Sequence, residues 1–122
     1  GDFTSPSRFV RISLLSQFAS QVKTAQEGVT LAWNIINNIN IPKGAIREIM
    51  PDGKPLLEYT QDVIVYDVAN KNVYFRDYSN PVIRMVDMKK FDVNGKHILK
   101  VPMQQTPKYE DLTEKLQPVV SK

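Results

Sequence analysis

Cysteine is absent from the 122 residues, so disulfides, thiolate metal sites and a cysteine nucleophile are all excluded within this chain. Histidine occurs once, as His97, which leaves no second imidazole for a metal site. Beside a turn and among lysines, it reads as a solvent-facing residue. The five glycines are scattered, which excludes a glycine-rich phosphate loop. No G-x-S-x-G elbow is present. No apolar run approaches the ~20 residues that cross a bilayer, so no membrane span is expected. Residues 1–7 lack a basic segment followed by an apolar stretch, so no secretory leader is visible. Charge of one sign is also scarce. The 16 basic and 13 acidic residues leave +3, spread along the chain. Lys89, Lys90, Lys96 and Lys100 come nearest to a basic patch, and Asp87 and Asp92 interrupt it. That pattern is a lysine-rich edge that discourages sheet-to-sheet pairing, not a nucleic-acid footprint.

What is present suffices for a folded domain. The chain is the size of one small domain, and its 42% hydrophobic content supports a real core. The expected class is α+β: two helices, a proline-rich connection, an antiparallel strand meander and a polar tail. Ser5-Pro6 reads as a helix start, with serine capping free amides and proline at the first helical position. That helix is expected over about 6–23, with Leu14, Leu15, Phe18 and Val22 on its apolar arc. Thr24 and Glu27 have capping-box spacing. They announce a second helix over about 25–39, in which Val29, Ala32, Trp33 and Ile36 repeat at helical period; Trp33, and Phe18 of the first helix, are expected to anchor the core. Pro42 and Gly44 end it. Residues 51–57 read as an exposed loop. Strands are expected over about 58–68, 73–78 and 82–88, joined by short turns, and a further short strand over 96–101 after Asn94-Gly95. The unbroken apolar run Val63 to Tyr66 predicts a strand covered on both faces. The tail, 102–122, is polar and carries three prolines.

Among residues that carry chemistry, Arg8 and Arg11 stand out. Arg11 falls inside the first helix's apolar arc, and Arg8 on its border. An arginine there is costly unless paired. Either one points into a site and meets a carboxylate, a peptide oxygen or a thiolate, or both snorkel or make structural ion pairs. Thr4, Ser5 and Ser7 lack an activating histidine, so capping is their expected role. Asp62, Asp67, Asp77 and Asp87 are expected to face solvent or stabilise turns, with a paired-carboxylate site as the open alternative.

The opening Gly1-Asp2-Phe3-Thr4-Ser5-Pro6-Ser7-Arg8-Phe9-Val10-Arg11 resembles the G-D-x-x-x-x-S-R-F-x-R segment of choloylglycine hydrolases, a family that includes bile salt hydrolases and penicillin V acylases. The likeness continues in order. Asn37 to Gly44 resembles the family's helix end and P-[KR]-G turn; Tyr59-Thr60, Tyr74 to Asp77, Ile83 to Lys89 and Asn94-Gly95 resemble its closing strands and turns. It covers residues 1 to about 101. The resemblance implies the C-terminal portion of an αββα N-terminal nucleophile hydrolase sandwich, cleaving linear amides without a cofactor or metal. The family's nucleophile is a cysteine at the mature N-terminus, which this chain lacks. The resemblance therefore implies a C-terminal fragment, inactive alone, whose partners are the N-terminal portion of the same protein and an amide substrate with an apolar acyl group. Homo-oligomers are a further expectation. Arg8, directly after serine in S-R-F, is the one family active-site residue that maps here, and it implies a catalytic arginine beside the thiolate. A non-catalytic binding domain on the same scaffold is the competing reading, and a nucleic-acid binder the weakest.

Overall fold

A computed structural model of the chain describes residues 2–92, 94–107 and 109–117. Gly1 of the opening motif and the end of the expected tail, 118–122, lie outside the described residues. Helix α1 spans Ser5–Phe18 and helix α2 Ala25–Asn37. Two antiparallel sheets follow. The first pairs β1, Ile46–Ile49, with β2, Pro55–Glu58. The second orders β3 (Asp62–Asp67), β4 (Asn72–Asp77) and β5 (Arg84–Asp87) as a meander. A 3-10 turn at Met88–Lys90 continues from β5.

Local sequence explains α2 well. Glu27 N donates to Thr24 Oγ1 at 3.2 Å, and the Glu27 carboxylate accepts from Thr24 N, closing the capping box. Val29 and Trp33 then face one side and are buried against Val63 of β3, with Ile36, Val65 and Tyr74 packed around them. Register explains the grouping. Val63 lies opposite Arg76 and Val65 opposite Tyr74, so these four share the face that α2 covers. The Arg76 guanidinium sits 5.0 Å over the Trp33 ring and donates to Asn37 Oδ1, tying the end of α2 to β4.

Several expectations are corrected. Helix α1 stops at Phe18, not near Lys23, because Ala19 and then Thr24 are extended and Thr24 must be extended to cap α2. Serine does not cap α1. Thr4 holds the capping position, and the hydroxyls of Thr4 and Ser7 serve the Asp2 carboxylate instead. The 51–57 stretch is not all loop. Asp52-Gly53 forms the tip of the β1–β2 hairpin, with Gly53 at φ 79°, and Pro55 opens the returning strand, where its missing N–H is tolerated. The expected 58–68 strand is accordingly split, with Glu58 ending β2 and Asp62 opening β3. No strand forms over 96–101. The segment pairs with none of the described strands, and Ile98 stands 97% exposed.

The run Val63 to Tyr66 is covered on one face only. Val63 and Val65 turn towards α2, while Ile64 and Tyr66 face away and are exposed, Tyr66 by 64%. That second face is covered at one end alone. There Phe75 is buried under the Arg84 guanidinium, 4.8 Å from its ring, and Arg84 donates to Met103 O. The segment after 101 is therefore folded back onto the sheet near Met103, half-buried, and Thr106, whose carbonyl accepts from Asn80 Nδ2 at 3.5 Å. Helix α1 packs on α2 yet has no buried residue, and Phe9 and Phe18 are 70% and 77% exposed, so Phe18 is not the core anchor its place on the apolar arc predicts. Apolar surface is thus exposed both on α1 and on the second sheet face, beyond the scattered single residues usual on a domain surface.

Candidate active site

The site begins where α2 ends. Past Asn38 the chain turns out of the helix, and the carbonyls of Asn38 and Ile39 have no following helical turn to bond. Helix α2 has no basic residue in its own last turn; α1 supplies the cations. Arg8 Nε donates to Ile39 O at 3.2 Å, and Arg11 Nη1 donates to Asn38 O at 2.7 Å. Both positive charges thus sit at the negative end of the α2 dipole. Arg11 Nη2 also donates to Asp2 O at 3.0 Å.

Beyond Ile39 the chain is pinned to the strand entry. Ile41 is buried, its N–H donates to Thr60 Oγ1 at 2.9 Å, and its carbonyl accepts from Thr60 N at 3.0 Å. Tyr78 N donates to Gln61 O at 2.8 Å, and the Tyr78 hydroxyl accepts from Lys43 N at 3.2 Å. Tyr59 and Tyr78 meet edge to face at 4.9 Å, with Lys43 5.0 Å over the Tyr59 ring. This lattice fixes one wall of an open groove. Arg8, Ile41, Leu56, Leu57, Glu58, Thr60 and Asp62 line it. Its apolar wall can take an aliphatic or aromatic group. Its half-buried cation, Arg8, bound by Nε alone among the described residues, leaves both terminal nitrogens for an anion or a developing oxyanion. The hydroxyls in that lining are those of Tyr59 and Thr60; the Thr60 oxygen already accepts from Ile41 N, and no histidine lines the groove to activate either. The groove therefore supplies charge stabilisation and shape, without an activated nucleophile of its own.

The four aspartates do not assemble into a carboxylate pair. Asp67 accepts from Asn70 N and Nδ2, and Asp87 from Lys89 N, both as turn stabilisers. Asp62 and Asp77 are opposite one another across β3 and β4, but Asp77 is buried, contrary to the solvent-facing expectation. It bonds Arg84 Nη2 at 2.7 Å and accepts from Ser79 and Asn80. The Ser79 hydroxyl first, then Arg84, hold its carboxyl down to about 2, so it stays ionised and committed to the β4–β5 turn. Asp2 is likewise held to about 2 by Thr4 and then Ser7. His97 is exposed. Among the described residues no cluster of His, Asp and Glu forms a cation site. Sequence reasoning missed Leu56, Leu57 and Glu58 as groove residues, since Pro51-Asp52-Gly53 read as irregular and the hairpin's pairing is not visible in periodicity.

Residues 1–101 match the family model of linear amide C–N hydrolases, choloylglycine hydrolase family. An uncharacterized protein of Paramecium bursaria Chlorella virus 1 is 34% identical over 85 residues, 69% of this chain and 30% of that protein. A bile salt hydrolase/transferase of Clostridium perfringens is 29% identical over 101 residues, 80% of this chain and 29% of its own length. The Bifidobacterium longum bile salt hydrolase/transferase is 26% identical over 101 residues, 83% and 31% of the two chains. Two solved structures share the fold. A cysteine-to-alanine mutant of the conjugated bile acid hydrolase from Clostridium perfringens superposes with TM-score 0.71 and 21% identity, over 93% of this chain and 33% of that one. An arginine-to-leucine variant of the same enzyme gives TM-score 0.66 and 23% identity, over 90% and 32%. The chain thus spans about 30% of the length of the curated relatives it matches.

Proposed function

This chain belongs to the choloylglycine hydrolase family of linear amide C–N hydrolases, and we propose on that premise that it supplies Arg8 and one groove wall to an enzyme whose attacking cysteine comes from polypeptide outside these 122 residues. The observation that carries this reading is Arg8 itself. It is the arginine of the S-R-F segment, anchored through Nε, and among the described residues its terminal nitrogens have no partner at a groove that sets Ile41, Leu56 and Leu57 beside the polar Glu58, Thr60 and Asp62. In the reaction a cysteine thiolate attacks the amide carbonyl carbon. The C–N bond breaks as the amine leaves with a proton, and water then releases the acyl group from sulfur. Arg8 favours the thiolate and steadies negative charge as it forms on the carbonyl oxygen. The substrate is an amide with an apolar acyl part, of the conjugated bile salt, penicillin V or N-acyl homoserine lactone type, seated on Ile41, Leu56 and Leu57. The open sheet face around Ile64 and Tyr66 and the exposed side of α1 support the view that the N-terminal portion of the same protein covers them. The residues after 101 lie beyond the family match, and Met103 and Thr106 of that segment pack back on the sheet through Arg84 and Asn80. No cofactor or metal takes part.

The second reading is a binding module that kept the scaffold and lost the chemistry; the 122 residues hold no cysteine. The two separate cleanly. The chain alone and the product of the longer coding region are assayed for release of amine from such amides. The enzyme reading expects turnover only from the longer protein, with a cysteine at its mature N-terminus. Turnover by the 122 residues alone contradicts the mechanism, and an upstream region without that cysteine establishes the binding module.

A further inference from the structure

Arg11 lies one turn after Arg8 on α1, and both guanidiniums reach consecutive carbonyls at the end of α2. Their bonding differs. Among the described residues the Arg8 side chain makes one hydrogen bond, from Nε to Ile39 O, so that carbonyl is its sole anchor there. Arg11 makes two, from Nη1 to Asn38 O at 2.7 Å and from Nη2 to Asp2 O at 3.0 Å. The rigid fork of one side chain thereby joins the segment entering α1 to the segment leaving α2. The Asp2 end is itself braced. Its carboxylate accepts from Thr4 N at 3.0 Å and Thr4 Oγ1 at 2.6 Å, and Arg8 N closes the first helical turn on Thr4 O at 3.0 Å. Nothing else among the described residues spans these three points with charge.

We propose that Arg11 is a positioning residue for Arg8: by clamping Asn38 O and Asp2 O it fixes the peptide immediately before the one whose carbonyl, Ile39 O, anchors Arg8, and so steadies the direction in which Arg8 presents its terminal nitrogens to the groove. The inference rests on the reading of Arg8 given above. Arg11 is absent from the groove lining and does not touch substrate; it acts through backbone. A displacement of roughly 1 Å at the reacting centre can cost about 100-fold in rate, so a loosened anchor is enough to matter.

The test uses the longer protein and four variants: Arg8→Met, Arg11→Met, Arg11→Lys and the Arg8→Met/Arg11→Met double. Arg11→Met is expected to lower kcat by about 10–100-fold with KM little changed. Arg11→Lys, which keeps the charge and one bond, recovers part of that loss. The double variant is expected to be no slower than Arg8→Met, since a missing arginine needs no positioning. The acidic limb of the kcat/KM profile shifts to higher pH in Arg11→Met, as it does in Arg8→Met. Wild-type kcat in Arg11→Met, beside a disabled Arg8→Met, overturns the role of Arg11 and leaves that of Arg8 standing. Multiplying losses in the double variant overturn it too, because they mark an independent structural effect. Full activity in Arg8→Met removes both. Should Arg11→Met not fold, Arg11→Lys decides, and wild-type kcat with an unshifted pH limb counts against the proposal.

Discussion

Replacing Trp33 by alanine is expected to release α2 from the sheet. Trp33 is 5% exposed and forms the described core with Val29 and Val63, while only Ile41 and Phe75 among other described apolar residues are buried to the same class. Removing a buried aromatic of this kind costs about 3–5 kcal/mol. Removing the ring that the Arg76 guanidinium overlies at 5.0 Å adds roughly 0.5–1 kcal/mol. Against a typical domain stability of about 5–15 kcal/mol, this is a large share. Phenylalanine is predicted to behave very differently. The Trp33 Nε1 atom is buried without a partner among the described residues, a donor whose desolvation costs about 1–3 kcal/mol. Trp33→Phe loses ring area and that donor together, so its net cost should stay below roughly 1.5 kcal/mol. Urea unfolding followed by far-ultraviolet circular dichroism measures both variants; fluorescence is unsuitable because Trp33 is the sole tryptophan. A Trp33→Phe variant as unstable as Trp33→Ala would refute the reasoning, since it would mean that the indole N–H is satisfied and contributing.

Acid should weaken the fold through Asp2 and Asp77. Both carboxyls are held at about 2 in the folded chain, below the ordinary 3.8, so their stabilisation is fully present above about pH 4 and is lost as pH falls towards 2. Thermal unfolding followed against pH checks this, and Asp77→Asn should flatten the acid dependence. Thr24→Ala removes the oxygen that caps Glu27 N and is expected to cost about 1 kcal/mol, read as a lowered melting temperature. Gly44 sits at φ 91°, so Gly44→Ala should destabilise by roughly 1 kcal/mol even though its added methyl group has room. Sedimentation of the chain alone should reveal self-association, driven by Phe9, Phe18 and Tyr66; a stable monomer would count against an uncovered core.

Helix α2 and the β3–β4 hairpin were legible because their signals are local: a capping box, a 3.6-residue period and short turn-rich connectors. The β1–β2 hairpin was not. Its strands are four residues each, one begins with Pro55, and they exist because they pair with each other, which periodicity does not register. The end of α1 was misread because Val22 continues the apolar rhythm that the extended cap of α2 interrupts. The buried Asp77 was also hidden. Its cation, Arg84, comes from the next strand, and the carbonyl that completes Arg84's setting belongs to Met103. Arg8 and Arg11 could be singled out as polar residues near an apolar arc. Their acceptors, Ile39 O and Asn38 O, lie a whole helix away in sequence and became visible only when α1 was laid against α2.

The most direct examination of Arg8 is the rate of alkylation of the N-terminal cysteine that the proposed mechanism requires in a longer protein, followed against pH with and without Arg8→Met. A fixed cation beside the sulfur predicts that its loss raises the apparent thiol pKa by about one unit or more, slowing alkylation near neutrality. Superimposable pH profiles would contradict the account, for they would mean that this guanidinium exerts no field at the sulfur it is supposed to serve.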